Sequence, residues 1–270
     1  MIDPRDWIGR NRVREDRLDP ARSAGLCAAL GQEARPAVGD LLPPLHHWLA
    51  FWEPSPPVET GVDGHPAKGG FLPPIALPRR MWAGGTVTFH RPLRLGATVR
   101  RETRIAGIET KTGRSGILVF VTLEHAISDA QGVAIDERQD LVYREASGDR
   151  PALPAAIVAP DWEARYDPDP VLLFRYSALT MNSHRIHYDL PYAQEAEGYP
   201  ALVVQGPLQA TMLAAHAAHR LGGLRHFSFR GVAPAFAGVP LGLASTPDGD
   251  GLSLWTEQGG VRRMTATAHI

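Results

Sequence analysis

Cysteine is almost absent from this sequence: Cys27 stands alone in 270 residues. That excludes an internal disulfide framework and any CxxC-type zinc site, and makes a reducing compartment the expectation. Set among Ala and Leu, Cys27 itself reads as a small core residue. No stretch approaches the ~18 to 20 consecutive apolar residues of a membrane span. Met1 to Asp6 carries charge where a signal peptide would hold its apolar run. A cytoplasmic protein without a membrane partner is therefore expected. An excess of one charge sign is missing as well, since 28 Lys+Arg face 29 Asp+Glu for a formal net charge of −1. A nucleic-acid binder shows a basic balance, so no nucleic-acid partner is expected.

What is plentiful is apolar residues, at 44%, together with 27 glycines and 24 prolines. The length suits one large domain or two of roughly 100 to 150 residues. Glycine and proline cluster in two places. Pro54 to Pro78 cannot hold a long helix or a central strand and reads as an extended loop, a kind of segment that is often functional. Gly148 to Pro170 reads as a linker. Before the linker, Pro20 to Leu30 has helical composition, and Leu45 to Phe51 is an apolar aromatic segment of undetermined type. Thr86–Phe89, Thr98–Ile108, Ser115–Ile127 and Val133–Tyr143 are rich in Val, Ile, Thr and Phe between Gly or Asp turns, the pattern of an antiparallel meander.

After the linker, Val171 to Tyr176 and Ala201 to Val204 read as strands flanking a polar irregular stretch. Gly206-Pro207 then opens a helix whose body, Leu208 to Leu221, is mostly Ala, Leu and Met, and Gly222-Gly223 closes it. Its apolar residues cover nearly the whole circumference, so protein should surround it. Three strands are expected to follow; in the last, Met264, Ala266, Ala268 and Ile270 alternate with polar residues. A buried helix followed by antiparallel strands is the order of a hot-dog fold, a sheet wrapped around one helix. The first half reads as a degenerate copy, on matching element types alone.

Polar chemistry concentrates between Ser177 and Asp189. Only about twenty residues separate this segment from the helix start at Gly206, which suggests that the two meet. A helix N-terminus offers unpaired N–H groups suited to a developing oxyanion such as a thioester enolate. Pro207 has no N–H, which leaves Gly206 and Leu208 as donors. A histidine within reach of that point can act as general base, and His187 is the candidate. His184 and His187 with Asp189, and His216 with His219, match no diagnostic metal spacing; no metal or cofactor is expected, and His216 and His219 read as polar breaks in the helix.

The stretch Leu179-Thr180-Met181-Asn182-Ser183-His184-Arg185-Ile186-His187-Tyr188-Asp189, followed by Val203-Val204-Gln205-Gly206, resembles the signature of MaoC-like (R)-specific enoyl-CoA hydratases. The resemblance implies that His187 is the catalytic histidine, that Asn182 stands where the family carries its catalytic aspartate, and that the Gly206 N–H binds the thioester carbonyl. The fuller pattern from Phe174 to Asn182, with Pro43-Pro44-Leu45, Asp63-Gly64-His65-Pro66, Gly69 to Pro74 and Pro78 to Gly85, is similar to the mesaconyl-CoA and itaconyl-CoA hydratases and the mitochondrial-type 3-hydroxyacyl-thioester dehydratases. It covers nearly the whole chain and implies an α+β double hot dog: a degenerate half over 1–147 supplying the acyl pocket, a linker over 148–170 and a catalytic half over 171–270.

The activity implied is addition of water to an enoyl-CoA, with a branched C5-dicarboxyl-CoA giving citramalyl-CoA as first choice. Dehydration of fatty 3-hydroxyacyl thioesters and non-catalytic binding of an acyl thioester are the alternatives. An acyl-CoA is the expected partner, with a homodimer as the candidate assembly. CoA phosphates and a free acyl carboxylate both call for guanidinium groups, so Arg79, Arg80, Arg175 and Arg185 are candidate substrate-binding residues, with His184, Trp82 and Leu208 beside them.

Overall fold

The computed structural model describes residues 3–113, 116–146, 151–159 and 161–270. The expected domain boundary at 147, linker residues 148–150 and 160, and Ser115 at the start of an expected strand lie outside the described residues. Ten strands form one antiparallel sheet. β1 (Asn11–Arg17), β2 (Arg79–Phe89), β3 (Thr98–Gly113), β4 (Gly116–Asp129) and β5 (Gly132–Arg144) come from the first half of the chain. β6 (Ala164–Tyr166), β7 (His226–Gly231), β8 (Leu241–Asp248), β9 (Gly251–Gln258) and β10 (Val261–His269) come from the second. The order across the sheet is β1-β3-β4-β5-β2-β7-β10-β9-β8-β6, so the halves meet where β2 pairs with β7. Each half contributes five neighbouring strands, the double hot dog the sequence implied.

The helices are α1 (Pro20–Ala29), α2 (Pro170–Thr180), α3 (Leu190–Glu195) and α4 (Gly206–Leu221). Helix α4 is the expected buried one: it lies against β7, β9 and β10, with Leu208, Met212, Leu213, Ala214 and Ala217 all buried. Gly222 ends it in the left-handed conformation at φ 73°. The matching position in the first half is not filled by a long helix. Helix α1 spans ten residues and packs on α2, and side chains of the first-half strands, Thr103, Phe120, Leu123, His125 and Leu141, line a cavity instead.

Several local expectations fail for identifiable reasons. Val171–Tyr176 is helix α2, not a strand: Asp169 accepts the Leu172 N–H at 2.7 Å as an N-cap, and Pro170 occupies the first turn. A proline after an aspartate is a helix start, and that signal outweighs the apolar run behind it. Ala201–Val204 forms only an isolated bridge, Val203 to Phe236. Four strands, not three, follow α4. The expected linker ends inside the sheet, where β6 pairs with β8. Strand β1 escapes pattern reading because its sequence, Asn-Arg-Val-Arg-Glu-Asp-Arg, is nearly all charged; it is an edge strand, where charge guards the open hydrogen-bonding groups. Among the described residues no helix is long and apolar enough to cross a membrane.

The seam between halves is tight. The β2 register shifts between Trp82 and Gly84, and a Cβ on Gly84 would stand 2.5 Å from the Phe229 carbonyl oxygen of β7. On the other flank, a Cβ on Gly85 would strike the Arg138 carbonyl of β5. Backbone that cannot yield makes such a substitution an overpacking defect. Gly84→Val is therefore expected to cost ~2 kcal/mol or more, lowering the calorimetric Tm by ~4 °C or more; an unchanged Tm would show that the seam is not constrained by close approach.

Candidate active site

Helix α2 ends at Met181, held in the left-handed region at φ 52°, and the Asn182 N–H donates to the Ser177 carbonyl at 2.8 Å. Asn182 Oδ1 accepts the His184 N–H at 3.1 Å, an Asx turn. That bond identifies the amide oxygen and leaves the NH2 group to serve as donor. Gly64 of the long loop is locked beneath this turn: its φ is 88°, Ser183 Oγ donates to its carbonyl, and a Cβ there would collide with the Ser183 carbonyl. The Arg185 N–H donates to the Asp63 carbonyl at 2.9 Å. The glycine- and proline-rich loop is thus an ordered wall of the site.

His187 is buried, and its Nδ1 lies 2.7 Å from the Val203 carbonyl oxygen. A carbonyl only accepts, so Nδ1 carries the proton and Nε2 holds the lone pair. Burial, with the neighbouring His184, pushes the His187 pKa down to about 3; the Val203 bond opposes that shift. The imidazole is a neutral base at any ordinary pH. His184 is pushed down to about 4 by burial and by Arg80. His65 is held well below the usual histidine value by burial, then by Arg80, His184 and His187. The His184 ring stands edge-on to His187 at 5.5 Å between centroids and lies 4.3 Å from that of His65.

Helix α4 brings its first turn to the same place. Among the described residues neither the Gly206 nor the Leu208 N–H meets an acceptor, whereas Gln209 N–H bonds to Gln205 O at 3.2 Å. A Cβ on Gly206 would touch only Met264 Cε, at 3.7 Å. The fold therefore does not demand glycine there, and its absence of side chain leaves the N–H open to the cavity. Gln205 is fully buried, donating to the Leu173 carbonyl at 2.9 Å and Ser177 Oγ at 3.0 Å and so tying α4 to α2.

One cavity of about 1910 Å³ collects these groups from both halves. Asn182, His184, His187, Gly206, Arg79, Arg80 and Trp82 line it, Trp82 within an aromatic group formed with Trp48 and Phe229. Three predicted residues do not line it. Arg175 is exposed on α2. Arg185 is held by Asp189 at 2.8 Å and lies over the Tyr192 ring, because its i,i+4 acid competes successfully for it. The Leu208 side chain is sealed in the core. Arg79 does line the cavity but is committed to Glu197, at 2.9 Å to the carboxylate and 2.7 Å to the carbonyl. Sequence reasoning assigned no role to His65 or Asp63; the Asp63-Gly64-His65-Pro66 motif was their signal. Asp63, His65 and His184 present potential metal-ligand atoms within 4.8 Å of one another, with the guanidinium of Arg80 felt at both histidines.

The family model for hydroxyacyl-thioester dehydratase type 2 matches residues 45–237. The chain belongs to that family. Mesaconyl-C(4)-CoA hydratase of Chloroflexus aurantiacus is 44% identical to this chain, the match covering 98% of this chain and 96% of that protein. The mitochondrial hydroxyacyl-thioester dehydratase type 2 of Schizosaccharomyces pombe is 29% identical over 80% of this chain and 81% of its own. Among solved structures, HtdX of Mycobacterium tuberculosis superposes with a TM-score of 0.70 at 21% identity, covering 96% of this chain and 99% of that one. Another M. tuberculosis protein, described as a double hotdog fold, gives a TM-score of 0.58 at 15% identity over 97% and 96% of the two chains. These structures support the fold of this dehydratase-family member.

Its buried histidines carry a stability consequence. His46 and His125, like His184, are pushed down to about 4, chiefly by burial, and His187 to about 3. In the unfolded chain histidine titrates near ~6.5, so between those values the unfolded state binds more protons and stability rises with pH. The contribution is complete above pH ~6.5 and is lost as pH falls toward 4, by up to ~1.4 kcal/mol per histidine per pH unit. Urea unfolding at pH 5 should show a clearly lower midpoint than at pH 7.5; equal midpoints would contradict the neutral, buried assignment.

Proposed function

We propose that the protein adds water across the conjugated double bond of an acyl-CoA thioester, with mesaconyl-C4-CoA as substrate and citramalyl-C4-CoA as product. It is a hydro-lyase, and the same groups serve the reverse dehydration. The observation that carries the reading is the pairing of a neutral, tautomer-fixed His187 with the unsatisfied N–H groups at the start of α4, on one cavity. The Asn182 amide donates to the oxygen of a water while His187 Nε2 takes one of its protons. The hydroxide forms a bond to Cβ, and the π electrons move through Cα to the thioester oxygen. The Gly206 N–H stabilises that oxyanion. The imidazolium is then a strong acid in a site that resists charge, and it returns a proton to Cα, leaving the enzyme as it began.

In this reading the first half, 1–147, supplies the acyl pocket and the second, 171–270, the reacting groups. The compartment is the cytoplasm and the candidate assembly a homodimer. The family match and the cavity volume of about 1910 Å³ favour one second reading, the dehydration of longer 3-hydroxyacyl thioesters.

Loss of the enoyl-thioester ultraviolet absorbance with mesaconyl-C4-CoA and with crotonyl-CoA tests the activity. His187→Ala should lower turnover by ~10² to 10⁴ with the fold retained, and wild-type turnover in that variant would end the mechanism. Asn182→Asp should keep partial activity and Asn182→Ala lose most of it; normal turnover in the alanine variant would remove Asn182 from the site.

A further inference from the structure

We propose that Arg80 seats the free carboxylate of the acyl group, and so selects a dicarboxylic thioester over its uncharged analogue. The inference rests on the hydratase reading above and sharpens it. In mesaconyl-C4-CoA the thioester lies at C4, the double bond joins C2 and C3, and the free carboxylate is attached to C2. C2 is the Cβ that receives hydroxide. The anion is therefore one bond away from the reacting carbon, and the cation that holds it must stand beside the His187 water, not at the far end of a long cavity. A carboxylate left unpaired there would cost several kcal/mol.

Of the arginines that line the cavity, most are already engaged. Arg79 is bound to Glu197. Arg12, Arg14 and Arg101, on β1 and β3, converge on the single carboxylate of Glu53 at 2.7, 3.4 and 3.0 Å. Arg263 donates to the carbonyls of Pro234 and Gln258. Arg144, the register partner of Arg79 near Tyr199 and Glu197, and the exposed Arg230 of β7 also line the cavity without a salt bridge among the described residues, but Arg80 alone of the cavity arginines acts on His65 and His184. Arg80 has no acid within salt-bridge distance among the described residues. The acid of its neighbourhood, Asp63, instead accepts the His65 N–H at 3.0 Å.

The surroundings of Arg80 suit an anion. Its charge is felt at His184 and His65, and His184 stands edge-on to His187, which places the guanidinium in the group of side chains around the base. Neutral imidazoles can donate but add no charge of their own. Directly across the sheet, the register partner of Arg80 is Tyr143, which is buried with Trp7, Ile75 and Ile105 and lies outside the cavity lining, so it backs the arginine without reaching the ligand space. A planar guanidinium fork with adjacent neutral donors is the arrangement a carboxylate fits. As hydroxide adds to C2, the same cation offsets the approach of a second negative charge to a carbon that already bears one.

The test compares two substrates differing at one group: mesaconyl-C4-CoA carries a carboxylate on Cβ beside its methyl, and crotonyl-CoA only the methyl. For Arg80→Met the ratio of kcat/KM on mesaconyl-C4-CoA to that on crotonyl-CoA should fall by ~10² or more, with Arg80→Lys intermediate. Arg101→Met should leave that ratio within ~3-fold of wild type, since its charge is shared with Glu53. Calorimetry on the saturated analogues succinyl-CoA and butyryl-CoA reads binding without chemistry: Arg80→Met should lose the preference for succinyl-CoA while retaining butyryl-CoA affinity. An unchanged ratio in Arg80→Met, or a ratio that collapses equally in Arg101→Met, overturns the assignment. A wild type that hydrates crotonyl-CoA but not mesaconyl-C4-CoA refutes the substrate choice, and Arg80 with it, while sparing the hydratase reading. A wild type inert on both refutes the hydratase reading itself.

Discussion

The pairing of β2 with β7 is the constraint on which the rest of the molecule depends. It converts two five-stranded arrays into one sheet and sets Arg79, Arg80 and Trp82, at the start of β2, on the same cavity as His187 and the start of α4 from the other half. The two glycines at the seam follow from it: β2 runs between β5 and β7 with carbonyls on both flanks too near for a Cβ. The aromatic group of Trp48, Trp82 and Phe229 fills the space over the junction, with centroids 4.8 to 5.8 Å apart, so the seam is also a packed wall of the cavity.

Burial is the second organising effect, and it acts in opposite directions on acids and bases. It keeps five histidines uncharged, yet Glu137, equally buried, is held ionised with a pKa of about 2, against the opposing push of burial, by bonds from His47 and Gln139; Trp48 Nε1 also donates to it, at 2.8 Å. The difference is the number of donors. A carboxylate surrounded by N–H groups tolerates burial as an anion, whereas an imidazole whose only anchor is a carbonyl gains little from a second proton. His187 belongs to the latter class, which is why Val203 fixes its orientation and tautomer without making it an acid in the resting protein.

Much of this was legible in the residues, and the boundary of legibility is physical. Alternation in Met264 to Ile270, β-branched runs between turns, and a Gly-Pro start with a Gly-Gly stop each report local periodicity or backbone preference, and each marks a real element. Pattern reading failed where local signals conflict or vanish: at Val171 to Tyr176, where an Asp-Pro cap overrides an apolar run, and at β1, where edge position favours charge over periodicity. The segment from Asn182 to Gly206 could be expected to converge because few residues separate its ends. Which arginines are engaged, and which one stands beside the histidines, could not be expected. That depends on where Glu197, Glu53 and Asp189 fall in three dimensions, and neither Arg79 nor Arg80 carries a mark in the chain that tells them apart.

The covalent continuity of the two halves has one more consequence. Two identical hot-dog subunits related by a two-fold axis must carry two identical sites, and every change made to one appears in the other. A single chain escapes that bond. Its second half carries the long α4, whose first turn leaves N–H groups without acceptors at the cavity, while its first half, with only the ten-residue α1 packed elsewhere, opens its sheet face as interior volume. Asymmetry is what allows one half to keep its buried helix while the corresponding space of the other is left as cavity.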